Sequence, residues 1–149
     1  MPGDYNTALQ NFLIVRNNLE YDVIREIYSQ LQHNDLAVAI LNDDLPAAQD
    51  AIKSPGAASA LFTISDSEII PTWWLLLYST NEALADVILS ALASEQLNWL
   101  NVNQENILFP ALNLHNISLV KILLEHNINK AQLDHNGLSP QVIATTLGM

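Results

Sequence analysis

A pattern of two short helical stripes followed by a polar turn recurs along this chain, with starts at Asn34, Pro71, Asn106 and Ser139. The starts lie 37, 35 and 33 residues apart. A unit of that size cannot bury its apolar face alone, so recurrence implies that neighbouring units stack and share a core. The clearest copy is the C-terminal one. There Leu119, Val120, Ile122, Leu123 and Leu124 form an apolar stripe at helical spacing, with Asn116 ahead of them as an N-cap. Asn127 is suited to the left-handed conformation that ends a helix. Residues 134–137, Asp-His-Asn-Gly, read as a tight turn. Ser139 and Pro140 then read as an N-cap and first helical position.

Earlier copies follow the same grammar. Asn81 caps a helix whose buried stripe is Leu84, Val87, Ile88 and Leu89. Asp44 caps another, with Ala47, Ala48, Ala51 and Ile52 facing inward. The extra residues of the longer copies are placed in the loops between repeats. Pro110 lies inside the first helix of its unit and requires that helix to start late. Residues 5–31 carry Leu9, Phe12, Leu13, Leu19, Val23, Ile24, Ile27 and Leu31 at helical spacing, a helix pair hinged at Asn17-Asn18. A stack must cover its first unit, so residues 1–33 are expected to be an N-terminal helical cap. Repeats at 34–70, 71–105 and 106–138 follow, then a truncated unit at 139–149, in one domain spanning 1–149. The last unit reads equally as a one-helix cap or as the point where a longer protein has been cut.

The C-terminal segment DHNGLSPQVIATTLG resembles the ankyrin-repeat consensus, roughly D-x-x-G-x-T-P-L-H-x-A-x-x-x-G. Asp134, Gly137, Ser139 in place of Thr, Pro140, Ala144 and Gly148 fall in register. One unit earlier, NILFPALNLHNISLVKILLEHN is similar to TPLHLAAxxGHxxIVKLLLExG at Leu108, Ala111 and the Val120–Glu125 block. Asp66 falls where the turn aspartate of that family belongs, and Ile69-Ile70 is placed at a turn tip. The position usually held by His is Ala37, Trp74, Phe109 and Val142 in the four units. The resemblance implies an all-α fold, an ankyrin-like α-solenoid of helix-turn-helix repeats with short turn or hairpin fingers.

Composition narrows the functions available. The chain has 149 residues, half of them hydrophobic, enough for one domain that buries about 70% of its unfolded surface. Sixteen acidic side chains face five Lys and Arg, a formal net charge of -11. That field repels phosphate backbones and anionic membrane surfaces, so neither nucleic acid nor membrane is an expected partner. Cysteine is absent, which excludes disulfides, thiolate metal sites and cysteine nucleophiles. The N-terminus lacks a basic region followed by an apolar one, so a cytoplasmic protein is expected, with translocation into a host cell left open. The oiliest stretch, Ile69 to Tyr78, is half the roughly 20 residues a spanning helix needs.

A catalytic constellation is not visible. The four glycines form no phosphate-binding or dinucleotide fingerprint, and no nucleophile-elbow or zinc-helix motif occurs. His115 and His126 stand about one helix length apart, too far to share a metal, and His33 and His135 have no partner in sequence. Asp43-Asp44 before Leu45-Pro46 reads as a helix start with an acidic cap rather than a catalytic pair. The expectation is a protein that is not an enzyme and takes neither cofactor nor metal.

In proteins of the ankyrin family the concave side binds partner proteins through turn tips and the exposed end of the first helix. Carried over by position, that implies contacts at Leu41 and Asn42; at Ser67, Glu68, Ile70, Tyr78 and Ser79; at Val102, Asn103, Glu105, Asn113 and Leu114; and at His135, Asn136 and Leu138. Trp73 is expected in the core. Trp74, in the His position, is expected to be half exposed. Trp99, in a linker, reads either as an exposed anchor or as packing under the loop. The function expected is a monomeric, non-enzymatic protein-protein interaction module. The alternative is an acidic inhibitor or immunity-type protein, or a bacterial effector acting on a specific protein.

Overall fold

The computed structural model describes residues 4–148, which fall into two compact units, the first ending at Ser79 and the second beginning at Thr80. The boundary lies inside the segment 71–105, between its first and second helices. The described chain is mostly helical, with one two-stranded sheet.

The first unit begins with α1 (Tyr5–Val15) and α2 (Tyr21–Leu31), joined by a hinge that contains Asn17-Asn18. Asp4 caps α1 by accepting from the Thr7 amide at 3.0 Å and its hydroxyl at 2.6 Å. The helix then buries Ala8 and Phe12. α3 (Asp35–Leu41) is buried at every position from Leu36 to Leu41. Such a helix, apolar all round, has to be surrounded. It packs against α1, α2, the 3₁₀ helix of this unit and α4 (Leu45–Ala51). Asn34 caps α3 through the Ala37 amide, and Asp44 caps α4 through the Ala47 amide. Between them Asp43 adopts a left-handed φ of 51°, and the Asp44 amide reaches back to the Ala39 carbonyl at 2.9 Å. These bonds satisfy carbonyls that the helix end would leave orphaned.

A finger follows. β1 (Leu61–Ser65) pairs antiparallel with β2 (Glu68–Pro71), Phe62 opposite Ile70. Phe62, Ile64 and Ile70 point into the core while Leu61 and Ile69 face out. The tip is Asp66-Ser67, so Ile69 and Ile70 belong to β2 rather than to the turn tip expected. Gln30 of α2 closes the outer edge of β1, its amide bonding both the Thr63 carbonyl and amide at 2.7 Å. On β2, Pro71 removes a donor, another way to blunt a strand edge.

The run Thr72–Tyr78 is helical, as expected for the first helix of its unit, but of the tight 3₁₀ form. Its start is held by Thr72, whose amide and hydroxyl both reach the Ala60 carbonyl at 2.8 Å; the hydroxyl also accepts from Asn34. Trp73 is fully buried, as expected. Trp74 corrects the expectation of half exposure: it is 2% exposed, edge-on to Trp73 with ring centroids 6.3 Å apart. Every residue from Thr72 to Leu77 is buried, so no side of this helix is left for water.

In the second unit, α5 (Glu82–Ser90) packs on α8 (Ile117–Glu125), which packs on α7 (Leu108–Asn113); α9 (Pro140–Thr146) packs on α7. A short helix, α6 (Ser94–Leu97), lies in what the sequence suggested was loop. Asn81, Asn116 and Ser139 cap α5, α8 and α9 by side-chain bonds to the third residue on. His115 and Asn127 take left-handed φ values of 55° and 63°, each followed by an amide reaching back five residues, Asn116 to Ala111 and Ile128 to Leu123. α7 starts late, at Leu108, so Pro110 sits in its first turn where no amide is missed. Buried Asn106 prepares that start, accepting from the Leu108 amide and donating to the Asn129 carbonyl. Lys121 and His126 of α8 reach Glu82 and Asp86 of α5 at 2.9 and 2.8 Å.

Candidate protein-interaction surface

Two loops of the second unit, residues 101–105 and 129–138, are irregular in backbone yet closely hydrogen-bonded. In the first, Asn101 is the organiser. Its side-chain oxygen accepts the amides of Asn103 and Glu105 at 2.9 and 3.0 Å, and its amide group donates to the Glu105 carboxylate. Its backbone amide donates to the Glu105 carbonyl, and Gln104 takes a left-handed φ of 61°. In the second loop Asp134 has the same role. Its carboxylate accepts the amides of Asn136 and Leu138, both at 2.9 Å, and the Gly137 amide donates to its carbonyl. Side chains of this type are the usual organisers of compact turns.

The loops are also bonded to one another. The Asn103 carbonyl accepts the backbone amide of His135 at 2.9 Å and faces its Nδ1 at 3.2 Å. A carbonyl accepts only, so Nδ1 carries the proton. Gln132 donates to the Gln104 carbonyl at 3.3 Å, and the Asn129 amide to the Asn98 side chain at 2.9 Å. These bonds join the loops while leaving Val102, Asn103, His135 and Asn136 exposed. Val102 is 86% exposed, and Asn103, His135, Asn136, Leu133 and Leu138 are exposed beside it. A valine held almost wholly in water by a hydrogen-bonded loop contributes nothing to the core.

A second exposed group lies where α7 ends and α8 begins. Asn113, Leu114 and the left-handed His115 are exposed there, with Ile117 at the start of α8. Trp99, following α6, is half-buried.

Contacts expected in the first unit fare differently. Leu41, Ile70 and Ser79 are 7%, 4% and 8% exposed, and so are packing residues rather than surface. Ile70 is pulled inward because it alternates with exposed Ile69 along β2. Ser79 turns in to donate to Asp43 at 2.6 Å. Glu68 receives both arms of Arg16 at 2.8 and 2.9 Å, and the same guanidinium reaches the Tyr78 hydroxyl at 3.1 Å. The Glu68 bond is the largest cause holding the Arg16 guanidinium above its usual pKa; burial raises that of the Tyr78 phenol despite the nearby cation. Asn42 is tied to Asn11 and to the Asp4 carbonyl. Glu105 is committed to Asn101. The structure therefore brings Asn103, His135 and Asn136 together, leaves Asn113 and Leu114 exposed at the end of α7, and withdraws Leu41, Ile70 and Ser79.

The sequence reading passed over Asn101, although Asn-x-Asn-x-Glu was its available signal: a short amide two residues before one amide donor and four before another. Among the described residues no group of three or more His, Asp or Glu side chains is placed to hold a metal ion, and no helix is long and apolar enough to cross a membrane. No protein-family model matches the chain, and no curated protein matches it significantly.

Proposed function

We propose that this chain is a non-enzymatic protein-binding module of degenerate ankyrin-like helix pairs, and that it takes its partner on the bonded loop tips of the second unit. The observation that carries this reading is Val102, an apolar side chain presented at 86% exposure on a loop whose backbone bonds are internally satisfied. A tip already ordered by hydrogen bonds has less conformational entropy to lose on binding, and a small apolar group among amides matches the mixed character of protein interfaces. The ankyrin-like part is supported by Asp43 and His115, left-handed joints 72 residues apart, each followed by a capping Asp44 or Asn116. Leu114 and Asn113, exposed at the end of α7, supply a further contact.

The test is capture of partner from the native source, followed by affinity measurement with Val102→Ala, His135→Ala and Leu114→Ala. Losses of about 1 kcal/mol or more at one or two of these positions are expected for interface anchors. Equal affinity for all three variants sinks this surface.

A second reading, an acidic inhibitor of a basic protein, is favoured by the net charge of -11 and the many exposed carboxylates. It requires association that slows steeply as salt is added. Association insensitive to salt removes it.

A further inference from the structure

The tip that holds His135 and Asn136 also contains the chain's only Asn-Gly pair, Asn136-Gly137. We infer that Asn136 is a site of spontaneous deamidation, and that the turn anchored by Asp134 sets its rate. Both residues are exposed, and among the described residues no hydrogen bond occupies the Asn136 side-chain amide. Gly137 has no side chain, and nothing lies within 4 Å of where a Cβ would stand, so approach to its nitrogen is open on that side. Elsewhere the asparagines are followed by larger residues. Several also have the amide engaged: Asn34, Asn81 and Asn116 accept helix amides, and Asn101 and Asn106 bind loop backbone.

The chemistry needs only water. The Gly137 nitrogen, giving up its proton to solvent base, attacks Cγ of Asn136. A bond forms between that nitrogen and Cγ, the Cγ–Nδ2 bond breaks, and Nδ2 leaves as ammonia. The five-membered imide is then opened by one water at either carbonyl. Opening at one gives aspartate; opening at the other gives isoaspartate, with a methylene added to the backbone. Each event consumes one water, releases one ammonia and adds one negative charge to the tip.

The native turn restrains the first step. The Gly137 amide donates to the Asp134 carbonyl at 2.9 Å, and the Asp134 carboxylate pins the amides on either side, of Asn136 and Leu138. The nitrogen must leave that bond before it can close the ring, so the rate follows opening of the turn. Isoaspartate then prevents its return, because the lengthened backbone no longer spans the Asp134 bonds that place His135 against Asn103. The tip carries an irreversible change of charge and shape that grows with the protein's age.

Peptide mapping of the intact protein, incubated in mildly alkaline buffer, tests this without reference to any partner. The peptide containing Asn136 should convert before any other asparagine peptide and yield both aspartate and isoaspartate. Asn136→Gln should abolish conversion there. Asp134→Ala, checked for helical content by circular dichroism, should accelerate it several-fold, as should denaturing urea with the wild-type chain. Earlier conversion of another asparagine overturns the site. A rate unchanged by both Asp134→Ala and urea overturns the control by the turn.

Discussion

The hairpin of the first unit and the bonded loops of the second face the same physical demand, to satisfy the backbone of a protruding segment, and meet it in opposite ways. β1 and β2 use a ladder closed at its edge by Gln30, and strand alternation sends Phe62, Ile64 and Ile70 inward. The second unit uses the side chains of Asn101 and Asp134 as backbone acceptors, leaving Val102 and Leu133 in water. Ladder pairing commits apolar side chains to the core, whereas side-chain-organised turns leave them exposed.

The sharpest way to break this contrast is by substitution at its two apolar poles. Ile70→Ala should cost about 2–5 kcal/mol in urea denaturation, and Trp73→Ala about 3–5 kcal/mol. Val102→Ala should change stability by less than about 0.5 kcal/mol. Comparable losses at Ile70 and Val102 would erase the distinction. Next in size is Asn101→Ala, which removes an acceptor shared by two amides and should cost about 1 kcal/mol. Faster hydrogen exchange at Asn103 and Glu105 should accompany that loss; unchanged exchange would mean that the loop is organised otherwise.

Arg16→Ala opens the clasp on Glu68 and Tyr78. Because that pair is partly exposed, the cost should be about 1 kcal/mol or less by denaturation. The smallest effect expected is alkaline. Burial raises the Tyr78 phenol above its ordinary 10.0, only partly offset by Arg16. The unfolded phenol therefore loses its proton first. The contribution of Tyr78 to stability is full below pH 10 and is lost as pH rises from there through the raised folded value. Tyr78→Phe should flatten the decline in stability above that pH; an unaltered slope would assign the decline to other groups.

Much of the helical framework was legible because its signals are local. Asn34, Asp44, Asn81, Asn116 and Ser139 each cap the helix their position implied, and Asn127 takes the left-handed conformation. Pro110 required the late start observed for α7. A cap or a left-handed joint depends on a side chain and the backbone within a few residues, so a short window contains the whole interaction. The surface was legible only in part. Asn103, Asn113, Leu114, His135 and Asn136 stand exposed, while Ile70, Leu41 and Ser79 do not. Position in the sequence pattern does not encode whether a segment forms a ladder or a side-chain-organised turn.

The apolar run from Ile69 to Leu77 marks the division. By itself the sequence determined that this run is too short to cross a membrane and that Trp73 would lie in the core, since length settles the first and helical position the second. It also determined the caps and the left-handed joint at Asn127. Tertiary structure alone decided that the helix would be 3₁₀, that Trp74 would join Trp73 inside, and that Arg16, 52 residues away, would occupy Glu68. Those outcomes depend on which distant elements surround a residue, and burial is a property of the surroundings rather than of the residue.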